Sequence, residues 1–317
     1  GSIREEFSEE KAFSPSSLER YANCPFEFLL RYVLYLDTRD EVDETLTPLE
    51  KGNLIHHILF RFYRERKEKK INERNSDEAL SRIIEIAEEE IERFHFEGPA
   101  WDSFREMMFR KGDDPGFLQK FIESEEGFDL MGLEPRFFEL SMGTRIDPAN
   151  RDPASVDLPV EIDLGDGILK IKGKIDRVDV NDKGQFVVVD YKTGKLPTKK
   201  MLEEGRSLQL PLYLKALGSL DGDLAGVGGA YYQVKDTNNI SMKYMLGRKN
   251  IKECGNDPGF QYEIESSMDH VKEYLKGIRN GRFHTTNEIR KECPSHCAGK
   301  DICRYVRTRP LEIRGDE

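Results

Sequence analysis

The stretch from Gly173 to Tyr213 constrains this chain most. It reads GKIDRVDV, then the turn residues Asn181-Asp182-Lys183-Gly184, then FVVVDYKTGK and an apolar run containing Gln209 and Tyr213. Residues 168–180 and 186–191 are rich in β-branched and aromatic side chains, so the spacing predicts an antiparallel hairpin. With the turn centred near Asp182 and Lys183, Asp176 falls opposite Asp190. Cross-strand neighbours have Cβ atoms about 4.5–5.5 Å apart. Two carboxylates that close repel each other unless a proton or a cation lies between them.

Asp190 and Lys192 are two apart on one strand and share a face, while Tyr191 points the other way. The hairpin therefore assembles Asp176, Asp190 and Lys192 on one side of a sheet, and oxygen ligands of that kind suit a hard divalent cation such as Mg2+. A lysine beside a metal can stabilise developing negative charge or help position an attacking water. An Asp-Lys pair on an exposed sheet face is the simpler alternative. Against it, Val187-Val188-Val189 is a continuous apolar run of the kind found in strands buried on both faces. Charges that end such a strand are costly without partners, which favours a site.

Helices are expected on both sides of this hairpin. Ser16 and Glu19 have capping-box spacing before Leu18, Tyr21 and Ala22, and after Cys24-Pro25 an apolar helix resumes through Phe26, Phe28, Leu29, Leu30, Tyr32 and Val33. Residues 49–66 read as a helix whose apolar face includes Leu54, Ile55, Ile58, Leu59 and Phe62, with His56 and His57 among them. A charge-dense helix over 65–94 and shorter ones over 101–110 and 116–128 complete a helical region at 51–132. Strands are expected at 135–142, 160–164 and 226–234. A helix over 206–217 places Gln209 and Tyr213 on one face, and an amphipathic helix spans 268–280.

Taken in order, Asp176, Asp190-Tyr191-Lys192 and Gln209-x-x-x-Tyr213 resemble the RecB-type branch of the PD-(D/E)XK nucleases. Gly52-Asn53-Leu54-Ile55-His56 is similar to that family's G-x-x-x-H motif, and residues 14–34 resemble the opening of the RecB-type domains that carry an iron–sulfur cluster. The resemblance implies an α/β fold with an αβββαβ core, its helical insertion at 51–132 and its sheet at 135–234. It implies that His56, Asp176, Asp190 and the backbone carbonyl of Tyr191 hold Mg2+ or Mn2+, and that Lys192 assists a metal-activated water. Gln209 and Tyr213 would contact DNA or brace the lysine, and Arg177 and Asp179 would flank the site, steering substrate or forming a surface pair.

Five cysteines in a chain with no signal peptide are not expected to pair as disulfides. Cys293, Cys297 and Cys303 are closely spaced, and such thiolates suit zinc or an iron–sulfur cluster. The resemblance narrows this: domains of the AddB type place one cysteine before the nuclease motifs and three after. It implies a [4Fe-4S] cluster on Cys24, Cys293, Cys297 and Cys303, with His296 as the alternative ligand and Cys254 a bystander. Such a cluster would tie the first helix to the last segment, a structural rather than redox role.

The net charge of -11 excludes a generic nucleic-acid-coating protein, but not a nuclease whose metal site is itself acidic. Lys192, Lys195, Lys199, Lys200 and Arg206, and Arg304, Arg307 and Arg309, are local basic stretches that could meet DNA or water. No apolar run reaches the roughly 18–20 residues needed to span a bilayer, so no membrane partner and a cytoplasmic location are expected. Gly1-Ser2 reads as a tag scar with residues 1–12 as a flexible lead-in, and residues 13–317 as a single nuclease domain cut from a longer protein. Thr193-Gly194-Lys195 lacks the first glycine and the Ser/Thr of a P-loop. Unwinding would come from a helicase subunit or a helicase region of the same polypeptide.

The reading is a metal-dependent exonuclease acting on single-stranded or duplex DNA ends in recombination and repair. A DNA-end-binding module that has lost cleavage, and an electron-transfer protein, are the rivals.

Overall fold

The computed structural model describes residues 3–36, 47–66, 70–94, 98–110, 115–126, 132–234, 240–246, 258–285, 299 and 302–303. The chain begins with a short helix α1 (Ile3–Glu6) and strand β1 (Ala12–Phe13), followed by α2 (Pro15–Asn23), α3 (Pro25–Phe28) and a π-helical turn (Leu29–Val33). The helical region holds α4 (Pro48–Arg66), α5 (Ser76–Phe94), α6 (Pro99–Phe109) and α7 (Phe117–Glu126). Then come β2 (Glu134–Met142), β3 (Val160–Asp163), β4 (Ile168–Ile171), β5 (Gly173–Val180) and β6 (Gln185–Lys192). The chain continues through α8 (Lys199–Glu203), α9 (Gln209–Leu220), β7 (Ala225–Val234), β8 (Ile240–Leu246) and α10 (Pro258–Arg279).

The main sheet has the order β2-β5-β6-β7-β8, antiparallel except for the parallel β6–β7 pair, which α8 and α9 connect. This contains the expected αβββαβ order, with β2, β5 and β6 as the three antiparallel strands. The two strands expected at 160–164 and 168–180 behave differently from the sequence reading. The run breaks at Lys172: β4 joins β3 and β1 in a separate three-stranded sheet, while β5 enters the main one. Lys172 donates its N–H to the carbonyl of Phe13, and Gly173 begins the new strand. A side chain at Gly173 would stand 2.8 Å from the Tyr213 hydroxyl, so glycine permits the close crossing where the chain changes sheets.

The hairpin turn forms where the sequence placed it. Asn181 Oδ1 accepts from the N–H groups of Lys183 and Gln185, and Gly184 takes the left-handed conformation at φ 72° that closes the turn.

The core lies on both faces of this sheet. Phe186 and Val188 pack with Leu210, Tyr213, Leu214 and Val271 on the side of α9 and α10, and Val187, Val189 and Tyr191 pack with Leu54, Ile58 and Phe121 on the side of α4 and α7. Burial on both faces accounts for the unbroken valine run of β6. Residues 3–12, read as a flexible lead-in, instead supply α1 and the start of β1, and Phe7 is buried against Phe13 and Phe28. Ser14, not Ser16, caps α2, exchanging hydrogen bonds with Ser17. Among the described residues no helix is long and apolar enough to cross a membrane.

Candidate active site

The hairpin register pairs Arg177 with Val189, so Asp176 and Asp190 stand one step further out, across from each other. Both are buried, at 8% and 2% exposure. Asp176 Oδ2 accepts from the Tyr191 N–H at 2.9 Å, which fixes this carboxylate to the partner strand. Its other oxygen faces His56 Nδ1 at 3.3 Å. His56 comes from α4, which packs on the main sheet, and its ring stands edge-on to Tyr191 with centroids 5.8 Å apart.

A third acid joins them that the sequence reading missed. Glu139 on β2 lies between Phe138, paired with Arg177, and Leu140, paired with Ile175, so its place in the register is beside Asp176. Its Oε1 is 3.5 Å from His56 Nδ1, and its other oxygen pairs with Lys174 Nζ. Glu139 holds φ at 53°, a left-handed conformation that costs a non-glycine residue about 1–3 kcal/mol and concentrates at functional sites. The available signal was a lone charge inside Phe137-Phe138-Glu139-Leu140, an otherwise apolar strand.

Asp190 turns toward the other side of the cluster. Its Oδ2 pairs with Lys192 Nζ at 2.5 Å, and its Oδ1 accepts from Gln209 Nε2. Gln209 Oε1 in turn accepts from Lys192 Nζ at 2.8 Å, closing a three-membered ring of contacts. Lys192 also lies over the face of Tyr231, 5.4 Å from the ring centroid. Tyr213 does not reach the lysine. Its phenol meets the backbone at Gly173 and Lys174, bracing the strand that carries Asp176.

Electrostatics sorts these acids. Burial, reinforced by the charge of Asp176, pushes the Asp190 carboxyl up to about 7 against the pull of Lys192. Burial also acts to raise Asp176, but the charge and hydrogen bond of His56 outweigh it and hold this carboxyl below its usual range. For His56 burial acts downward, and Asp176 and Glu139 override it to bring the imidazole up to about 10.

His56, Glu139 and Asp176 each offer a donor atom, all within 4.8 Å of one another. Two carboxylates and an imidazole fit a divalent cation of the Mg2+ or Mn2+ type. Of the expected ligands His56 and Asp176 are thus brought together, Glu139 is added, and Asp190 stands next to them engaged with Lys192. The trio opens into a cleft of about 760 Å3 also lined by Asn53, His57, Phe60, Asn150, Lys174 and Thr193.

One expectation is corrected. Arg177 and Asp179 do not flank this cleft but are buried on the opposite face of β5, where Arg177 pairs with Asp179 and Glu125. Several of the local basic residues face acids of the chain itself: Lys199 pairs with Glu263, and Lys200 and Arg206 with Glu204.

Cys24 and Cys303 are free thiols, while Cys254, Cys293, His296 and Cys297 lie outside the described residues. Cys303 closes a turn on Gly299, its N–H donating to the Gly299 carbonyl at 2.7 Å. A side chain at Gly299 would meet Leu30 and Phe26 at 3.1 and 3.2 Å, so this turn is seated on the helical segment that follows Cys24.

Comparison with known proteins agrees with this architecture. The family profile described as PD-(D/E)XK nuclease superfamily matches residues 12–304. The chain is similar to proteins named as the B-type subunit of an ATP-dependent helicase/deoxyribonuclease. It is 30% identical to that of Lactobacillus johnsonii over 69% of this chain and 19% of the relative, and 26% identical to that of Clostridium novyi over 95% of this chain and 25% of the relative. The chain thus spans a quarter or less of the length of these curated relatives.

Proposed function

The chain belongs to the PD-(D/E)XK nuclease superfamily, and from that premise we propose that it is a metal-dependent DNA nuclease hydrolysing phosphodiester bonds at DNA ends. The observation that carries this reading is the meeting of His56, Glu139 and Asp176 at one cleft, with the Asp190–Lys192 pair on the strand beside Asp176. His56, Glu139 and Asp176 would hold Mg2+ or Mn2+, with Asp190 and the Tyr191 carbonyl adjacent. When bound, such a cation polarises the phosphoryl oxygen and lowers the pKa of an attacking water.

The chain's own residues do the rest. Lys192 presents a fixed positive charge where the phosphorane gains negative charge, and Gln209 holds that ammonium against Asp190. Lys174, beside Glu139 at the edge of the cleft, supplies a second positive charge toward the phosphate backbone.

The relatives' names support two further parts of the reading: action in DNA repair, and a helicase partner, either a separate subunit or another region of the same polypeptide. The seating of the Gly299–Cys303 turn beside the helix after Cys24 supports a [4Fe-4S] cluster on Cys24, Cys293, Cys297 and Cys303. Equal amounts of iron and acid-labile sulfide in anaerobically purified protein are expected, and their absence would remove the cluster.

The deciding test is Mg2+-dependent degradation of single- and double-stranded DNA by the wild type beside Asp190→Ala. Cleavage by the wild type alone is expected. DNA binding without cleavage by either would leave an end-binding module instead.

A further inference from the structure

We propose that Glu19, on α2, is a positioning residue for the catalytic lysine, acting through the first residue of α9. This rests on the reading of Asp190 and Lys192 as the working pair. The N-terminus of α9 has unusual needs. Its N-cap is Leu208, which offers no capping side chain, although the first N–H groups of a helix require acceptors from somewhere. The preceding Ser207 is buried with its hydroxyl engaged by Tyr231 at 2.9 Å, so it does not serve.

Glu19 supplies the cap from a different element. Its Oε1 accepts from the N–H of Leu208 at 2.7 Å and of Gln209 at 3.0 Å. A carboxylate suits that place, since the N-terminus of a helix carries partial positive charge. Gln209 is the residue whose side chain bridges Asp190 and Lys192. One carboxylate therefore fixes the backbone of a residue whose amide fixes the lysine. Misplacement of a reacting group by about 1 Å can cost about a hundredfold in rate.

Glu19 is itself well anchored. In α2, Tyr21 donates its hydroxyl to the Arg282 carbonyl at 2.8 Å and packs on Tyr274 of α10. The same helix ends at Cys24, whose N–H bonds the Arg20 carbonyl. The helix that leads to Cys24 is thus joined to Lys192 through Glu19 and Gln209.

The test is a double-mutant cycle of Glu19→Ala with Gln209→Ala, together with Glu19→Gln, whose amide oxygen can still accept both hydrogen bonds. Glu19→Ala should lower kcat about 10- to 100-fold with KM for DNA little changed, and Glu19→Gln should recover most of it. The double variant should fall no further than Gln209→Ala alone. Hydrogen exchange should show the amides of Leu208 and Gln209 losing protection in Glu19→Ala while β6 and α10 keep theirs.

Additive losses within about twofold would overturn the proposal, as would unchanged kcat or loss of protection throughout the chain. A wild type that cuts no DNA overturns the nuclease reading instead, and exchange at Leu208 and Gln209 then decides by itself whether Glu19 holds this residue.

Discussion

Asp176 and Arg177 are neighbours in the chain, yet their side chains leave opposite faces of β5 and enter two charged clusters of different kinds. Asp176 joins His56 and Glu139 at the cleft, with Asp190 and Lys192 beside them. Arg177, 1% exposed, lies beneath the helical region. Its Nε and Nη2 donate to the two oxygens of Asp179 at 2.6 and 2.8 Å, and its Nη1 to Glu125 and to the Tyr63 hydroxyl, both at 2.8 Å. The guanidinium also stands 5.0 Å from the Tyr63 ring centroid.

Both clusters touch α4, where His56 and Tyr63 are two turns apart on one face. The difference lies in the roof. On Arg177's side α4 and α7 seal the charges from water and four of the guanidinium's five N–H groups are bonded, which makes a structural clamp. On the side of Asp176 acids crowd together at an opening, and their repulsion is left for a cation to relieve. A charged residue in a strand is therefore informative only once its face and its cover are known.

The comparison can be broken most directly at Asp190. Asp190→Ala should cut DNA cleavage by about a thousandfold while leaving the thermal midpoint of the metal-free protein unchanged or raised, because one of two facing carboxylates is gone. A parallel loss of stability would show that this cluster also holds the fold. Arg177→Met should do the reverse. Removing one member of a buried ionic cluster costs about 3–5 kcal/mol, read as a lower urea midpoint, whereas the residual folded enzyme should keep its Mn2+ affinity.

Next in size is the pH response. Asp190, near 7 when folded, and His56, near 10, both hold protons more tightly in the folded chain than in the unfolded one. Metal-free stability should therefore fall as pH rises, from about 4 to 7 through Asp190 and from 6.5 to 10 through His56. Asp176 is held below 3.8 and acts in the opposite sense, its contribution being lost only under strong acid. Mn2+ binding should release protons and tighten with pH, which calorimetry in buffers of different ionisation enthalpy measures. Asp190→Asn should abolish the lower slope alone, and a flat profile in the wild type would contradict the arrangement.

The smallest effect is expected at Tyr213→Phe. It removes one hydrogen bond to the backbone of β5 and should cost about 1 kcal/mol in denaturant, with cleavage changed far less than by Asp190→Ala.

Much of the site was legible because a hairpin has strict arithmetic. Asp176, Asp190 and Lys192 follow from the turn at Asn181–Gly184 and the two-residue period of strands, and Gln209 follows from the next helix. Glu139 and Glu19 were not legible in the same way. Glu139 reaches the cluster from a strand distant in sequence through a left-handed backbone, and the spacing of Glu19 from Ser16 suggests a local cap that it does not make.

By itself, the sequence determined the alternation that buries β6 on both faces, the turn that sets its register with β5, and hence the facing pair Asp176 and Asp190. These depend on neighbours within one hairpin, where local geometry suffices. The tertiary structure alone decided that residues 168–180 split between two sheets, that Arg177 and Asp179 are sealed, that Glu139 joins His56 and Asp176 at the cleft, and that Glu19 reaches the start of α9. Those outcomes depend on which helices cover which face, a choice made by packing between segments far apart in the chain.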